Sequence, residues 1–262
     1  MGKLMSKATN YNLSAMMWLY LACICLPSVA FGACRGYPQT PGMIIHYHGA
    51  IGNKVNVGMS LVIDGDALEG WYYYDKYMTD IKLSGHFIDD ANFELSARDG
   101  SGAVIETFTG EFAEHAAGYR DKDLSCEIMT GTFQKKSDGQ TFPFHLVEDS
   151  SVTGSKEAFY GSDGGEILEA KIQRYWRAVK ADDKQVVASF YKYPFRIVTM
   201  KGTKLRISNE AEFVSHYSEI IPSETKNIII AAVPHDMFHN WQGVMLGDGV
   251  VWFDYDGSVI HP

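Results

Sequence analysis

No Gly-x-Ser-x-Gly nucleophile elbow and no glycine-rich phosphate loop occurs anywhere in this chain. The local signatures of serine-based acyl transfer and of nucleotide binding are therefore missing. Basic side chains are outnumbered, with 23 Lys and Arg against 32 Asp and Glu and a formal charge of −9. That balance argues against a surface for nucleic acid or anionic membrane and would suit a basic protein partner. Beyond residue 33 no apolar run is long enough to span a bilayer. Cysteine is scarce, with 4 in 262 residues, whereas 46% of the chain is hydrophobic. That content supports a sizeable core and rules against wholesale disorder.

Lys3 and Lys7 precede an apolar block over residues 15–26, which breaks at Pro27 and relaxes into Ser28, Ala30, Gly32 and Ala33. This is the layout of a secretory signal peptide over residues 1–32, and it predicts a periplasmic protein, with secretion or membrane anchoring as alternatives. Anchoring would require that the uncharged run over residues 14–33 stay uncleaved, or that Cys34 carry a lipid. Loss of the leader removes Cys23 and Cys25. In an oxidising compartment the remaining two, Cys34 and Cys126, predict one disulfide.

Residues 35–148 read as an antiparallel β domain. Val57, Met59, Leu61 and Ile63 alternate before Asp64-Gly65; Phe93, Leu95 and Ala97 alternate before Asp99-Gly100; Phe142, Phe144 and Leu146 alternate after Asp138-Gly139. Period two punctuated by Asp-Gly is a strong hairpin signal. Within these strands Gly70, Gly85, Gly110 and Gly131 each stand between two bulky residues on the same face, as in Leu68-x-Gly70-x-Tyr72. A glycine there admits a neighbour's ring or lets the strand bend, which predicts a strongly curved sheet or small barrel of roughly seven to nine strands. Alternation sends Tyr72 and Tyr74 to one face and Trp71 and Tyr73 to the other. One pair is core, and the other, with Tyr77, forms a binding surface or a contact with the second domain. His46 and His48, two apart on one strand, face the same way and could share a metal with His86 or His145.

Polar and small residues over 149–164 read as a linker, and the period changes beyond it. Ile172, Tyr175, Trp176 and Val179 form a helical stripe; a short helix over residues 183–190 follows, then two strands. Asn209 with Glu212 has the spacing of a capping box, and Pro222 opens a further helix. Residues 241–246 and 250–255 flank Gly247-Asp248-Gly249 as a closing hairpin.

That order, with Tyr193-Pro194-Phe195 entering a strand, Ile207 to Glu210 entering a helix and the hairpin over residues 240–253, resembles an NTF2-like (cystatin-like cone) domain of exported bacterial proteins of unassigned function. The resemblance implies an α+β fold over residues 165–262, with helices packed inside a curved sheet, and implies no chemistry.

The most reactive-looking cluster is His235-Asp236-Met237-Phe238-His239. On a helix the imidazoles of His235 and His239 would lie one turn apart and could bind a metal, although the zinc-protease signature would require Glu after the first histidine. With no catalytic signature and a strongly acidic balance, the sequence favours a non-enzymatic exported binding protein without cofactor. An inhibitor or immunity-type protein acting on an envelope enzyme or toxin is one form of it, with Trp71, Tyr73, Tyr77 and Trp241 as contact residues. A metal-dependent envelope hydrolase using His235 and His239 is the first alternative, and a small-ligand or lipid carrier the second. Convergence of Trp71 and His235 on one cleft would mark a functional site above simple packing.

Overall fold

In the computed structural model, which describes residues 40, 42–113, 127–154, 165–199 and 202–261, the alternating first half closes on itself. Strands β1 (Met43–Ile51), β2 (Val55–Asp64), β3 (Ala67–Tyr74), β4 (Ile81–Phe87), β5 (Asn92–Arg98), β6 (Val104–Ala113), β7 (Ile128–Lys135) and β8 (Thr141–Thr153) pair antiparallel in chain order. β8 returns to β1, completing an eight-stranded barrel with no unpaired edge.

One face of each strand fills the interior. Tyr47, Met59, Leu61, Tyr72, Phe93, Leu95, Phe108, Phe133 and Phe144 are all buried there. The rings of Phe108, Phe133 and Phe144 meet at centroid distances of 5.0 and 5.4 Å about Phe108. Side chains thus occupy the barrel interior. The recurring glycines act as the sequence suggests. Gly110 and Gly131 are cross-strand partners, and a Cβ on either would come within 3.0 Å of the Phe144 ring and closer still to backbone. Phe144 covers the gap that the two missing side chains leave.

The second half comprises α1 (Gly165–Lys180), α2 (Lys184–Ala188), β9 (Phe195–Val198), β10 (Lys204–Ile207), α3 (Glu210–Ser215), α4 (Tyr217–Ile220) and α5 (Ser223–Ala231). A four-stranded antiparallel sheet follows, β11 (His239–Asn240), β12 (Gly243–Leu246), β13 (Val251–Phe253) and β14 (Val259–His261). Local signals fix the helix starts. Asp183 accepts from the Val186 amide at 3.1 Å, and Asn209 accepts from the Glu212 amide at 3.0 Å. Glu212 reaches back to the Ser208 amide at 2.7 Å, one residue before the donor that a standard capping box uses. Tyr175 of α1 stands edge-on to Phe190 and to Phe253 of β13, tying helix to sheet. The whole is an α+β fold, a barrel followed by a part that resembles an NTF2-like cone.

The barrel and the α+β part belong to one compact unit. Ile44, Val62, Trp71 and Val152, on the outside of β1, β2, β3 and β8, join the core of the second half. Among the described residues no helix is long and apolar enough to cross a membrane. The expected leader over residues 1–32 and all four cysteines lie outside the described residues. The expected Cys34–Cys126 disulfide lies outside them as well.

Candidate metal centre

The outward face of β1, β2 and β3 carries two adjacent rungs. His46, Ser60 and Trp71 are successive cross-strand partners, and so are His48, Gly58 and Tyr73. Against this face lies the loop between α5 and β11, carrying Pro234, His235 and Asp236. Asp236 has a left-handed backbone, φ +48°, a conformation that aspartate tolerates better than most residues. Pro234 and this left-handed step preclude the helix expected over residues 235–239.

Four contacts seat the loop. Ser60 Oγ donates to Asp236 Oδ2 at 3.0 Å, and Trp71 Nε1 donates to the same oxygen. The serine proton being committed to Asp236, His46 Nδ1 is the donor in its 2.8 Å bond to Ser60 Oγ. From α1, Gln173 Nε2 donates to the Pro234 carbonyl at 3.3 Å. Tyr73 packs edge-on against the His235 ring at 4.3 Å, and its hydroxyl donates to the His235 carbonyl at 3.4 Å. Gly58 makes this possible, since a Cβ there would lie 2.3 Å from the Tyr73 hydroxyl.

His235 is 6% exposed and faces carboxylates at both ring nitrogens. Nδ1 contacts Glu169 Oε1 of α1, and Nε2 lies 2.8 Å from Oδ1 of Asp80, the residue just before β4. Gln173 donates to the same Glu169 oxygen at 3.2 Å and steadies it. Asp80, His235 and Asp236 each offer a ligand atom within 4.8 Å of the others. The chemistry of this arrangement has two forms. Without a cation the ring bridges the Glu169 and Asp80 carboxylates; with one, Nε2 would serve as a ligand while Glu169 would hold the Nδ1 proton, the usual support for a metal-bound imidazole.

The centre borders a cleft of about 550 Å³ between barrel and α+β part, lined by His46, His48, Ser60, Tyr73, Asp149, Asp236 and apolar Met237, Phe238 and Leu246. Burial, together with the charges of Asp236, Asp75, Asp149 and Glu169, holds the Tyr73 hydroxyl well above its ordinary pKa, so it remains a donor. His48 Nε2 lies 3.1 Å from Asp75 Oδ1, and this bond raises the His48 pKa against the opposing effect of burial.

No protein-family model matches the chain, and no curated protein is significantly similar to it.

Of the residues singled out from sequence, Tyr73 and His235 line this cleft, and Trp71 does not line it but donates to Asp236, which does. Tyr77, 64% exposed, leans on Tyr74, and Trp241, 87% exposed, follows β11; neither lines the cleft. His239, on β11, is outside the Asp80–His235–Asp236 group. His46 and His48 do face the same way, but His86 and His145 do not join them at the cleft. Sequence reasoning missed Asp80, Glu169 and Ser60 and gave Asp236 only a minor place. The non-enzymatic reading as inhibitor or immunity-type protein is corrected by this group: an imidazole and two carboxylates gathered beside a cleft, with His235 and Asp236 buried and held from behind, are arranged for metal binding or catalysis, not for surface recognition alone.

Proposed function

We propose that this protein is a metal-dependent hydrolase, with a divalent cation held by Asp80, His235 and Asp236. The observation that carries the reading is the grouping of those three donors, two of them buried. It is strengthened by a hydrogen-bonded support behind His235 and another behind Asp236. One imidazole with two carboxylates is a donor set suited to zinc, manganese or ferrous iron. Such a cation, when bound, makes water a nucleophile near neutral pH and polarises the bond under attack.

The chain's own residues set the rest. Glu169 fixes the His235 tautomer, Ser60 and Trp71 orient Asp236, and the apolar wall of Met237, Phe238 and Leu246 limits water around a substrate. No lysine or arginine is among the residues lining the cleft, so an uncharged acyl substrate suits it better than a phosphate ester. The signal-like segment over residues 1–32 supports a site of action in the cell envelope.

Metal analysis of the full chain, purified without a histidine tag and re-equilibrated with zinc, tests the reading. One tightly held zinc per chain is expected, and it disappears in the double variant Asp80→Asn, His235→Gln. No tight zinc, or zinc that survives the double substitution, would leave His235 as a structural bridge between Asp80 and Glu169.

A further inference from the structure

We propose that His48, held by Asp75, is the proton donor of this site, delivering a proton to the leaving group of the substrate; the inference rests on the hydrolase reading above. His48 stands one rung along β1 from His46, about 7 Å by strand geometry. The His46 rung holds Asp236, while the His48 rung continues through the bare Gly58 to Tyr73, which touches His235. The Tyr73 ring lies over Gly58, the cross-strand partner that stands between Tyr73 and His48 in this rung. Both histidines border the same cleft.

Other groups on this wall are poorly suited to the task. Tyr73 is too weak an acid, since its hydroxyl is held well above the ordinary value. His46, 4% exposed, is buried in its support of Ser60, whereas the His48 side chain is 37% exposed, and Asp236 is the proposed ligand. Asp75 occupies His48 Nε2, which leaves Nδ1 as the atom for a substrate. A carboxylate behind an imidazole stabilises its protonated form and fixes its orientation, the pairing expected of a general acid. The groups that act on the charge of His48 are Asp75 and, more weakly, Asp149 of β8; both raise its pKa.

The step balances as hydrolysis. The water oxygen bonds to the acyl carbon, the bond to the leaving group breaks with its electron pair on the leaving atom, and that atom takes the proton of His48. The proton released by the attacking water returns His48 to its charged form. The substrate class follows: an amide or alkyl ester, whose leaving group is too basic to depart unprotonated.

A graded series of acetate esters, from 4-nitrophenyl to phenyl to ethyl, tests the proposal on the zinc-loaded full chain. Relative to wild type, H48Q should lose ~100-fold or more in kcat on the ethyl ester and progressively less toward 4-nitrophenyl, with zinc affinity within about twofold. Wild-type rates should fall as pH rises through the His48 pKa. D75N should move that limb to lower pH, D149N should move it less, and H48Q should lack it. An H48Q variant whose loss is the same for every ester, or whose pH limb is retained, would overturn the proposal. So would a zinc-bound wild type that cleaves none of the series. Failure to bind zinc would instead remove the hydrolase reading, and this inference with it.

Discussion

The two faces of β3 have opposite fates. Leu68 and Tyr72 point into the barrel and disappear among aromatic rings, while Trp71 and Tyr73, one residue out of phase, leave it and hold Asp236 and His235. The inner face is nearly all apolar and carries the stability of the barrel. The outer face is polar, and its hydrogen bonds run to a loop more than 160 residues away in sequence. Period-two alternation thus lets one strand serve as core and as support for chemistry, with little exchange between the roles.

The sharpest way to break that comparison is to damage one face and measure the other. Phe108→Ala, at a fully buried position packed on Tyr72, Phe133 and Phe144, should destabilise the protein by about 3–5 kcal/mol in urea unfolding. The folded fraction should bind zinc with unchanged affinity. The reciprocal change, Trp71→Phe, keeps an aromatic ring, smaller than the indole, and removes the donor to Asp236. It should weaken zinc binding by about 10–100-fold in calorimetric titration and leave the urea midpoint nearly where it was. A midpoint that collapses with Trp71→Phe would show that Trp71 serves the core of the second half more than it serves Asp236.

The smallest effect concerns an acidic group on the barrel's inner side, Glu106. Glu106 accepts from the Tyr72 and Tyr74 hydroxyls, and burial raises its pKa above the ordinary carboxylate value. The fold therefore favours the neutral acid. That contribution to stability is complete below about pH 4.5, the unfolded value, and is lost as pH rises through the higher folded pKa. Glu106→Gln should gain melting temperature relative to wild type between pH 4 and pH 8, with zinc affinity at fixed pH unaltered. Parallel curves across that range would contradict the assignment.

Much of the barrel was legible because its signals are local. Asp64-Gly65 and Asp138-Gly139 are turns with left-handed glycines, and the Gly-aromatic pattern marks places where strands approach closely. His235 also stood out, but its partners did not. Glu169 and Asp80 meet it across separations of 66 and 155 residues, set by the docking of α1 and of the residues before β4, and no spacing rule encodes that. The pairing of His235 with His239 assumed helical periodicity. Pro234 and the left-handed Asp236 turn the chain instead, aiming Asp236 at the barrel and sending His239 into β11. The absence of a known motif argued for a binding protein because the site is assembled from single residues on separate segments, which a motif search does not see.

The central claim is tested most directly by zinc-edge anomalous diffraction from crystals of the full chain equilibrated with zinc. One strong peak bonded to Asp80, to His235 Nε2 and to Asp236, with Glu169 still on His235 Nδ1, is the predicted result. A peak at His239 or elsewhere, with His235 still clasped between Asp80 and Glu169, would contradict it.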